Sequence, residues 1–137
     1  MRQAGGGGQV PHMNEIRLAK DLALPLEVVT QKIAILAVSG AGKTYTGKLL
    51  AEEILENGQW PIIIDPVGVW WGLRSAADGK REGYSILILG GERGDIPLDS
   101  NAGEIVAQFL IAETVRAILD LSEWSNSQQT KFSNRVL

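Results

Sequence analysis

The chain has 137 residues, of which 45% are hydrophobic and 21% charged, and its formal net charge is −3. These values are typical of one globular domain with a buried core, and they exclude a global basic field that would attract nucleic acid. With no cysteine and a single histidine, His12, the chain can form neither disulfides nor a thiolate or histidine-rich metal site. No apolar run approaches the roughly 20 residues that span a bilayer, and no stretch has the pattern of a secretory signal. The sequence therefore predicts a cytoplasmic protein.

Residues 1–12 have the composition of a tail, because Gly5–Gly8 form a flexible run with no apolar partner. Met13 follows His12 directly. Residues 1–12 are therefore interpreted either as a cloning remnant ahead of a natural start or as a disordered N-terminus.

Apolar residues occupy the even positions between 16 and 28, with Lys20 as the one exception. This alternation predicts a short β segment at 13–31, made of one or two antiparallel strands bent near Lys20 and Asp21. Pro25 suits the edge of such a sheet, because proline donates no ladder hydrogen bond. A helix is the less favoured interpretation.

The segment 37–44, with the sequence Ala-Val-Ser-Gly-Ala-Gly-Lys-Thr, fits the Walker A pattern of a phosphate-binding loop, with alanine at the first glycine position. Upstream, the apolar run within 32–38 predicts a buried strand. Downstream, apolar residues at helical spacing predict a helix over 43–57, and Gly58 is well placed to end it. A phosphate loop requires this strand-loop-helix context, so a glycine-rich turn with an incidental lysine is disfavoured.

The residue types explain how such a loop binds phosphate. Gly40 and Gly42 can adopt backbone angles closed to other residues and leave room for an approaching anion. Successive backbone N–H groups and the start of the following helix then bind anionic oxygens. Lys43 can reach the β- and γ-phosphates of ATP, and the Thr44 hydroxyl can ligate Mg²⁺. The candidate nucleotide-binding residues are Ala37, Val38, Ser39, Gly40, Ala41, Gly42, Lys43, Thr44 and Tyr45.

Three further apolar runs, at 61–65, 85–89 and 115–119, predict buried strands. The strand-helix-strand order around the phosphate loop implies a parallel strand pair with a right-handed crossover. The predicted fold is therefore α/β, a three-layer P-loop NTPase fold with a mostly parallel sheet.

Amphipathic patterns predict two more helices, one following Asn101 and a short one near Ser127. Asn101 with Glu104 has the spacing of a capping box. Asp65 and Asp120 each follow an apolar run. We therefore expect both carboxyl groups at the carboxyl edge of the sheet, together with the phosphate loop, where ligands bind in such sheets.

A long connection at 66–83 contains the pair Trp70-Trp71 among basic residues. Aromatic and basic side chains together could stack on and neutralise a nucleic-acid strand. The favoured interpretation is that the tryptophans cover the sheet edge and the charges are solvated, since only three basic residues are involved. These residues are Arg74, Lys80 and Arg81.

Five segments of the chain carry a combination of motifs that a phosphate loop alone does not have. They are 35–47, Ile63 with Asp65 and Pro66, Gly68 with Trp70-Trp71-Gly72-Leu73, Gly90-Gly91 with Asp95, Pro97 and Leu98, and Leu119-Asp120-Leu121-Ser122. Together they resemble the ATPase domain of the HerA/FtsK superfamily, and most of all the HerA-like ATPases, over most of residues 30–137. The Asp-Pro and Trp-Trp-Gly-Leu combination is the more specific part, because many families share the phosphate loop.

Members of this superfamily are typically ring-shaped, usually hexameric, DNA-translocating motors that bind ATP between subunits, and HerA-like members often work with a nuclease. The resemblance implies that residues 37–44 bind ATP, with Lys43 on the phosphates and Thr44 on Mg²⁺, and that Asp65 lies near the nucleotide. It also implies a homo-oligomer, a hexamer, whose ring binds DNA and a nuclease partner, with no membrane association.

The chain departs from the family pattern in ways that bear on catalysis. The family's small N-terminal β-barrel is at most a short segment here, and no apolar strand ending in Asp-Glu follows Thr44. We therefore expect residues 32–137 to be the N-terminal part of the ATPase domain, without the family's acidic pair, sensor residue and arginine finger. Asp65 and Asp120 are candidate catalytic acids beside Lys43, and a structural role at a strand end is the competing interpretation.

Three functions remain open on the sequence alone. The first is ATP binding and hydrolysis as part of a HerA-like DNA-translocating motor. The second is a nucleotide-binding interaction module without turnover, which the missing acidic pair supports. The third is a small-molecule kinase, which is disfavoured because a kinase lid is arginine-rich and only Arg116 and Arg135 follow Leu98.

Overall fold

The computed structural model describes residues 14–76, 78–80 and 82–137, and the chain divides into two compact units, Met1–Gly58 and Gln59–Leu137. The first unit contains a β-hairpin and one α-helix, and the second contains a three-stranded parallel sheet with two α-helices. The predicted tail or cloning remnant at 1–12 and the basic residue Arg81 lie outside the described residues. Within the described chain, no helix is both long enough and apolar enough to cross a membrane.

The hairpin of the first unit consists of β1 (Glu15–Ala19) and β2 (Leu22–Pro25), which pair antiparallel. It confirms the prediction of one or two short antiparallel strands bent near Lys20 and Asp21, but residues 26–30 of the predicted β segment 13–31 form no strand. Ile16 is fully buried, as expected for a side chain on the inner face of the alternation. A short 3₁₀ helix, Leu26–Thr30, follows the hairpin.

Helix α1 (Lys43–Glu56) begins at the predicted residue and ends one residue before the predicted end. The Asn57 side-chain amide donates to the carbonyl oxygens of Glu53 at 2.8 Å and Glu15 at 3.1 Å. The backbone N–H of Arg17 donates to the Glu53 carboxylate at 2.9 Å. These bonds connect the C-terminal turn of α1 to strand β1.

The strand predicted at 32–38 is wrong, because these residues belong to no strand of the described chain. Leu36 and Val38 are 90% and 79% exposed, although the run has the composition of a buried strand. An apolar run becomes a strand only where a neighbouring strand pairs with its backbone, and the composition alone cannot supply that partner. The parallel pair predicted across α1 is accordingly not formed by the described residues.

The sheet of the second unit consists of β3 (Ile62–Asp65), β4 (Leu87–Leu89) and β5 (Ala117–Asp120) in the order β3-β5-β4. All its strands are parallel, which confirms the predicted α/β fold class and the three strands. β5 lies in the centre and is buried at every position. The register places Asp65 of β3 directly beside Asp120 of β5.

Helices α2 (Gly103–Glu113) and α3 (Asn126–Val136) pack closely, because a Cβ on Gly103 would lie 2.7 Å from Arg135 Cβ. Phe132 of α3 has no exposed surface, and its ring meets Trp124 edge-on with centroids 5.1 Å apart. The buried cluster beneath these helices contains Leu89, Val106, Leu110, Ala117, Leu119, Leu121 and Phe132.

The helix caps differ from the predicted ones. The capping box predicted at Asn101 and Glu104 is wrong, because α2 begins after Ala102 and no described side chain caps it. The backbone N–H of Asn101 instead donates to the carboxylate of Asp99 at 2.7 Å. A capping box forms at α3, where Ser125 and Gln128 each bond the other's backbone N–H. Ser-x-x-Gln is the sequence signature of that box. The apolar pattern predicts the helix, and this signature also marks where it begins.

We expect Phe132→Ala to lower the free energy of unfolding by about 3–5 kcal/mol, because it removes a fully buried ring and leaves a cavity. The matched control is Ile111→Ala on α2, where the side chain is 79% exposed and the expected change is within about 0.5 kcal/mol. Urea unfolding of both variants measures the difference. A loss below about 1 kcal/mol for Phe132→Ala would contradict this core.

Candidate functional site

The first candidate site, within the first unit, is the loop before α1. Gly40 and Gly42 have φ angles of 80° and 89°, in the left-handed region, and Gly42 is the N-cap of α1. A Cβ on either glycine would meet no heavy atom within 4 Å, so the backbone conformation and not crowding requires glycine here. The backbone N–H of Ala41 donates to the carbonyl oxygen of Val38 at 3.2 Å and closes the turn.

Lys43 spans this loop. Its ammonium nitrogen donates to the carbonyl oxygens of Ala37 at 2.7 Å and Val38 at 2.9 Å. Thr44 and Tyr45 follow in the first turn of α1, and both are exposed. No described side chain caps the N-terminus of α1, so its first backbone N–H groups are available to an anion.

A separate candidate site, within the second unit, is the carboxyl edge of the parallel sheet. Asp65 ends β3 and is 1% exposed. One carboxylate oxygen accepts the backbone N–H groups of Val67 at 3.2 Å and Gly68 at 2.8 Å, and the other accepts that of Trp70 at 2.8 Å. Both oxygens are therefore hydrogen-bonded by the loop that follows β3. This is the structural role expected as the alternative to a catalytic role for Asp65.

Asp120 ends β5 beside Asp65 and is 7% exposed. Its Oδ1 accepts hydrogen bonds from the Ser122 backbone N–H at 2.9 Å and the Ser122 hydroxyl at 2.6 Å. Its Oδ2 accepts none from a described residue. The two candidate acids of the sequence thus differ, because Asp65 is fully used by its own loop and Asp120 keeps one oxygen available.

The 3₁₀ helix Trp70–Arg74 is joined to the loop after β4 by two contacts. The Arg74 guanidinium donates to both carboxylate oxygens of Asp95, at 2.8 and 2.9 Å, and Arg93 lies 4.3 Å from the centre of the Trp71 ring. The backbone N–H of Ile88 and the Arg74 guanidinium lower the pKa of the Asp95 carboxyl below its usual value. Both arginines are engaged within the chain, and Arg74 is not merely solvated as the sequence suggested.

The structure confirms that Asp65 and Asp120 lie together at the carboxyl edge of the sheet, and it adds Gly68, Gly91 and Ser122 to them. Asp65 and Asp120 are adjacent, and Gly68 and Gly91 lie against the Asp120–Ser122 pair. Ser122 had no predicted role, although its position two residues after a strand-end aspartate is typical of a side chain that bonds that carboxylate. Residues 37–45 belong to the other unit, so the expected common edge for the loop and both aspartates stays a prediction.

We expect Asp65→Asn to lower the free energy of unfolding by about 1.5–3 kcal/mol, because asparagine offers one acceptor where three backbone N–H groups need two. Asp99→Asn is the matched control. Its exposed carboxylate accepts one backbone N–H, and the expected loss is about 0.5 kcal/mol or less. Denaturant unfolding compares them, and equal losses would show that Asp65 does not hold its loop.

Comparison with known proteins assigns the family. The family model described as "Helicase HerA, central domain" matches residues 8–89, a range that contains residues 37–45, α1, β3 and the 3₁₀ helix Trp70–Arg74. Comparisons with curated proteins and with solved structures found no match. The matched range covers more than half of the chain, and it includes the Asp-Pro and Trp-Trp-Gly-Leu motifs. The chain therefore belongs to the family of the HerA helicase central domain.

Proposed function

We propose that this chain binds ATP and Mg²⁺ through residues 37–45 as part of a HerA-like, ring-forming DNA-translocating motor. Family membership supports a nucleotide-binding, ATPase-type function. The geometry of the loop supports the more specific proposal of ATP binding. Two left-handed glycines turn the backbone immediately before an uncapped helix start, and a lysine side chain lies across the turn.

Lys43 is positioned to exchange its present partners for phosphate. Its ammonium group is shared between two neutral carbonyl oxygens, Ala37 O and Val38 O. A phosphate oxygen carries negative charge, and charge-assisted hydrogen bonds are roughly twice as strong as bonds to neutral groups. The β- and γ-phosphates of ATP would therefore replace the carbonyls and release them, while the N–H groups at the start of α1 bind the remaining phosphate oxygens.

Thr44 is the residue of this loop that would hold Mg²⁺. Its exposed hydroxyl lies in the first turn of α1, next to the lysine, and hydroxyl oxygen is a hard ligand that suits this ion. A bound Mg²⁺ would supply positive charge that offsets the negative charge of the phosphates. The chain's own contribution is to orient the nucleotide through the loop backbone, Lys43 and Thr44.

The proposed assembly is a homo-oligomeric ring, a hexamer by family resemblance, which binds DNA and works with a nuclease partner. Two exposed apolar side chains of α2 offer contacts for a neighbouring subunit. Ile105 and Ile111 are 71% and 79% exposed, on a helix whose other face is buried. The chain carries a net charge of −3, so the DNA-binding surface would come from local basic residues or from the assembled ring.

We expect Lys43→Ala to weaken ATP binding by about 10- to 100-fold or more. Charge-assisted hydrogen bonds are worth about 1.5–3 kcal/mol each, and every 1.4 kcal/mol is tenfold in affinity. Lys32→Ala is the control, since it removes a lysine from the same exposed segment without touching the loop. Calorimetric titration with MgATP measures both, and equal affinity in Lys43→Ala and the parent protein would reject the assignment.

We expect the isolated chain to hydrolyse ATP very slowly. An arginine finger typically raises the rate of hydrolysis by ~10³ to 10⁵. No described arginine at the carboxyl edge of the sheet is free of other contacts and able to act as one. Of the arginines at this edge, Arg74 is bonded to Asp95 and Arg93 lies over the Trp71 ring. A site that binds the ground state and the transition state equally well gives affinity for ATP without accelerating its hydrolysis. The same contacts favour the alternative function, a nucleotide-binding interaction module without turnover.

Steady-state phosphate release by the purified chain, with and without DNA, tests this expectation. Lys43→Ala serves as the control that separates turnover by this chain from a contaminating ATPase. Rapid, DNA-stimulated release that Lys43→Ala abolishes would show that the water-orienting and charge-stabilising groups are already present in these residues.

A further inference from the structure

Helix α1 is followed directly by the dipeptide Asn57-Gly58, within the first unit. Asparagine loses its side-chain amide most readily before glycine, because glycine places no side chain beside the backbone nitrogen that attacks the amide carbon. No other asparagine of the chain precedes a glycine. The dipeptide is therefore a chemically labile position, and the fold around it determines whether it reacts.

The Asn57 side chain takes part in the contact between α1 and strand β1. Its amide nitrogen donates to Glu15 O at 3.1 Å and to Glu53 O at 2.8 Å, so both of its hydrogens are used. The Arg17 backbone N–H donates to the Glu53 carboxylate at 2.9 Å. The bonds from Asn57 to Glu15 and from Arg17 to Glu53 join the helix to the strand, and we call them the α1–β1 junction.

The folded chain keeps the two reacting groups of the dipeptide apart. Cyclisation requires the Gly58 backbone nitrogen to lose its proton and approach Cγ of Asn57. In the structure this N–H donates to Leu55 O at 3.0 Å, and the Asn57 amide is bonded to Glu15 and Glu53. The reaction therefore requires the last turn of α1 to open and the Asn57 side chain to leave the junction.

We propose that Asn57-Gly58 is a latent deamidation site, protected while the α1–β1 junction is formed, whose product cannot re-form that junction. The Gly58 nitrogen loses its proton and bonds to Asn57 Cγ, while the Cγ–Nδ2 bond breaks and ammonia leaves with that proton. Water then opens the resulting succinimide at either carbonyl and yields aspartate or isoaspartate at position 57. Water is the one co-reactant, and no oxidant or reductant takes part.

The product lacks the donor that the junction needs. A carboxylate at position 57 accepts hydrogen bonds only, so the carbonyl oxygens of Glu15 and Glu53 both lose their bond from this side chain. Its negative charge would also lie at the C-terminal end of α1, where the helix dipole is negative. Isoaspartate adds one carbon to the main chain at the same point. Deamidation is therefore a one-way change that detaches the helix end from β1.

Peptide mapping by mass spectrometry measures the deamidated fraction at position 57 over time, in the full chain at mildly alkaline pH. We expect the folded parent chain to react at least about tenfold more slowly than the same chain unfolded in urea, because the reaction proceeds only through the open state. Circular dichroism verifies that the parent chain is folded without urea.

Ile16→Ala should raise the rate in the folded chain by about tenfold or more. It removes a fully buried side chain from β1 and so makes the junction easier to open. Leu22→Ala is the matched control on β2, where the side chain is 49% exposed, and it should change the rate by about twofold or less. The comparison of folded and unfolded parent chains decides the question even where Ile16→Ala fails to fold.

Asn57→Asp reproduces one product of the reaction. Hydrogen exchange of the Arg17 backbone N–H measures opening of the junction, and we expect it to be at least about tenfold faster in this variant. Asn126→Asp is the matched control, because it makes the same change at the start of α3, where negative charge is favourable. It should leave the exchange of Arg17 at the parent rate.

Any of three results overturns the proposal. The folded and unfolded parent chains deamidate at position 57 at equal rates, Leu22→Ala accelerates the reaction as much as Ile16→Ala does, or Asn57→Asp leaves the exchange of Arg17 unchanged. None of these measurements involves nucleotide or DNA, so their outcome is independent of the proposed function.

Discussion

The parallel register between β3 and β5 determines what the second unit presents at its carboxyl edge. β5 is buried along its whole length and pairs with a parallel strand on each side, so two ladders of backbone hydrogen bonds fix its position along the sheet. The register that satisfies both neighbours places Asp65 beside Asp120. Two carboxylates from distant parts of the sequence are thus held next to each other by hydrogen bonds and burial in the strands behind them.

The environment then gives two identical side chains different roles. Asp65 is surrounded by backbone N–H groups of its own loop, which satisfy both oxygens and leave none for a ligand. Asp120 is followed by a serine that bonds one oxygen only, and two glycines keep other side chains away from the second oxygen. The number of carboxylate oxygens left without a hydrogen bond at this edge therefore depends on how many hydrogen bonds the following residues donate. It depends less on which acids are present.

The sequence predicted most elements of the fold because their signals are local. Apolar runs identified β3, β4 and β5, and helical spacing with Gly58 identified α1 nearly to the residue. The strand at 32–38 was wrong because strand formation depends on a partner that no local pattern reveals. The cap of α2 was wrong because Asp99, outside the expected box, takes the backbone N–H of Asn101.

The candidate site was predictable to a similar extent. The requirement for glycine at 40 and 42 follows from the motif, and both residues do have positive φ. The motif could not show that Lys43 bonds the carbonyls of Ala37 and Val38, nor that Asp65 is enclosed by its loop, because each depends on side-chain placement in three dimensions. Gly91 was recognised only as part of a resemblance, and its reason is the carboxylate of Asp120 that occupies the place of its side chain.

The enclosure of Asp65 also affects how this segment can vary in evolution. The loop residues it binds contribute only backbone N–H groups, and the side chain of Val67, one of these donors, is 65% exposed. Any residue with a backbone N–H can donate at position 67, whereas only an ionised carboxylate at 65 can accept all three bonds. We therefore expect position 67 to vary among relatives while the acid at 65 persists.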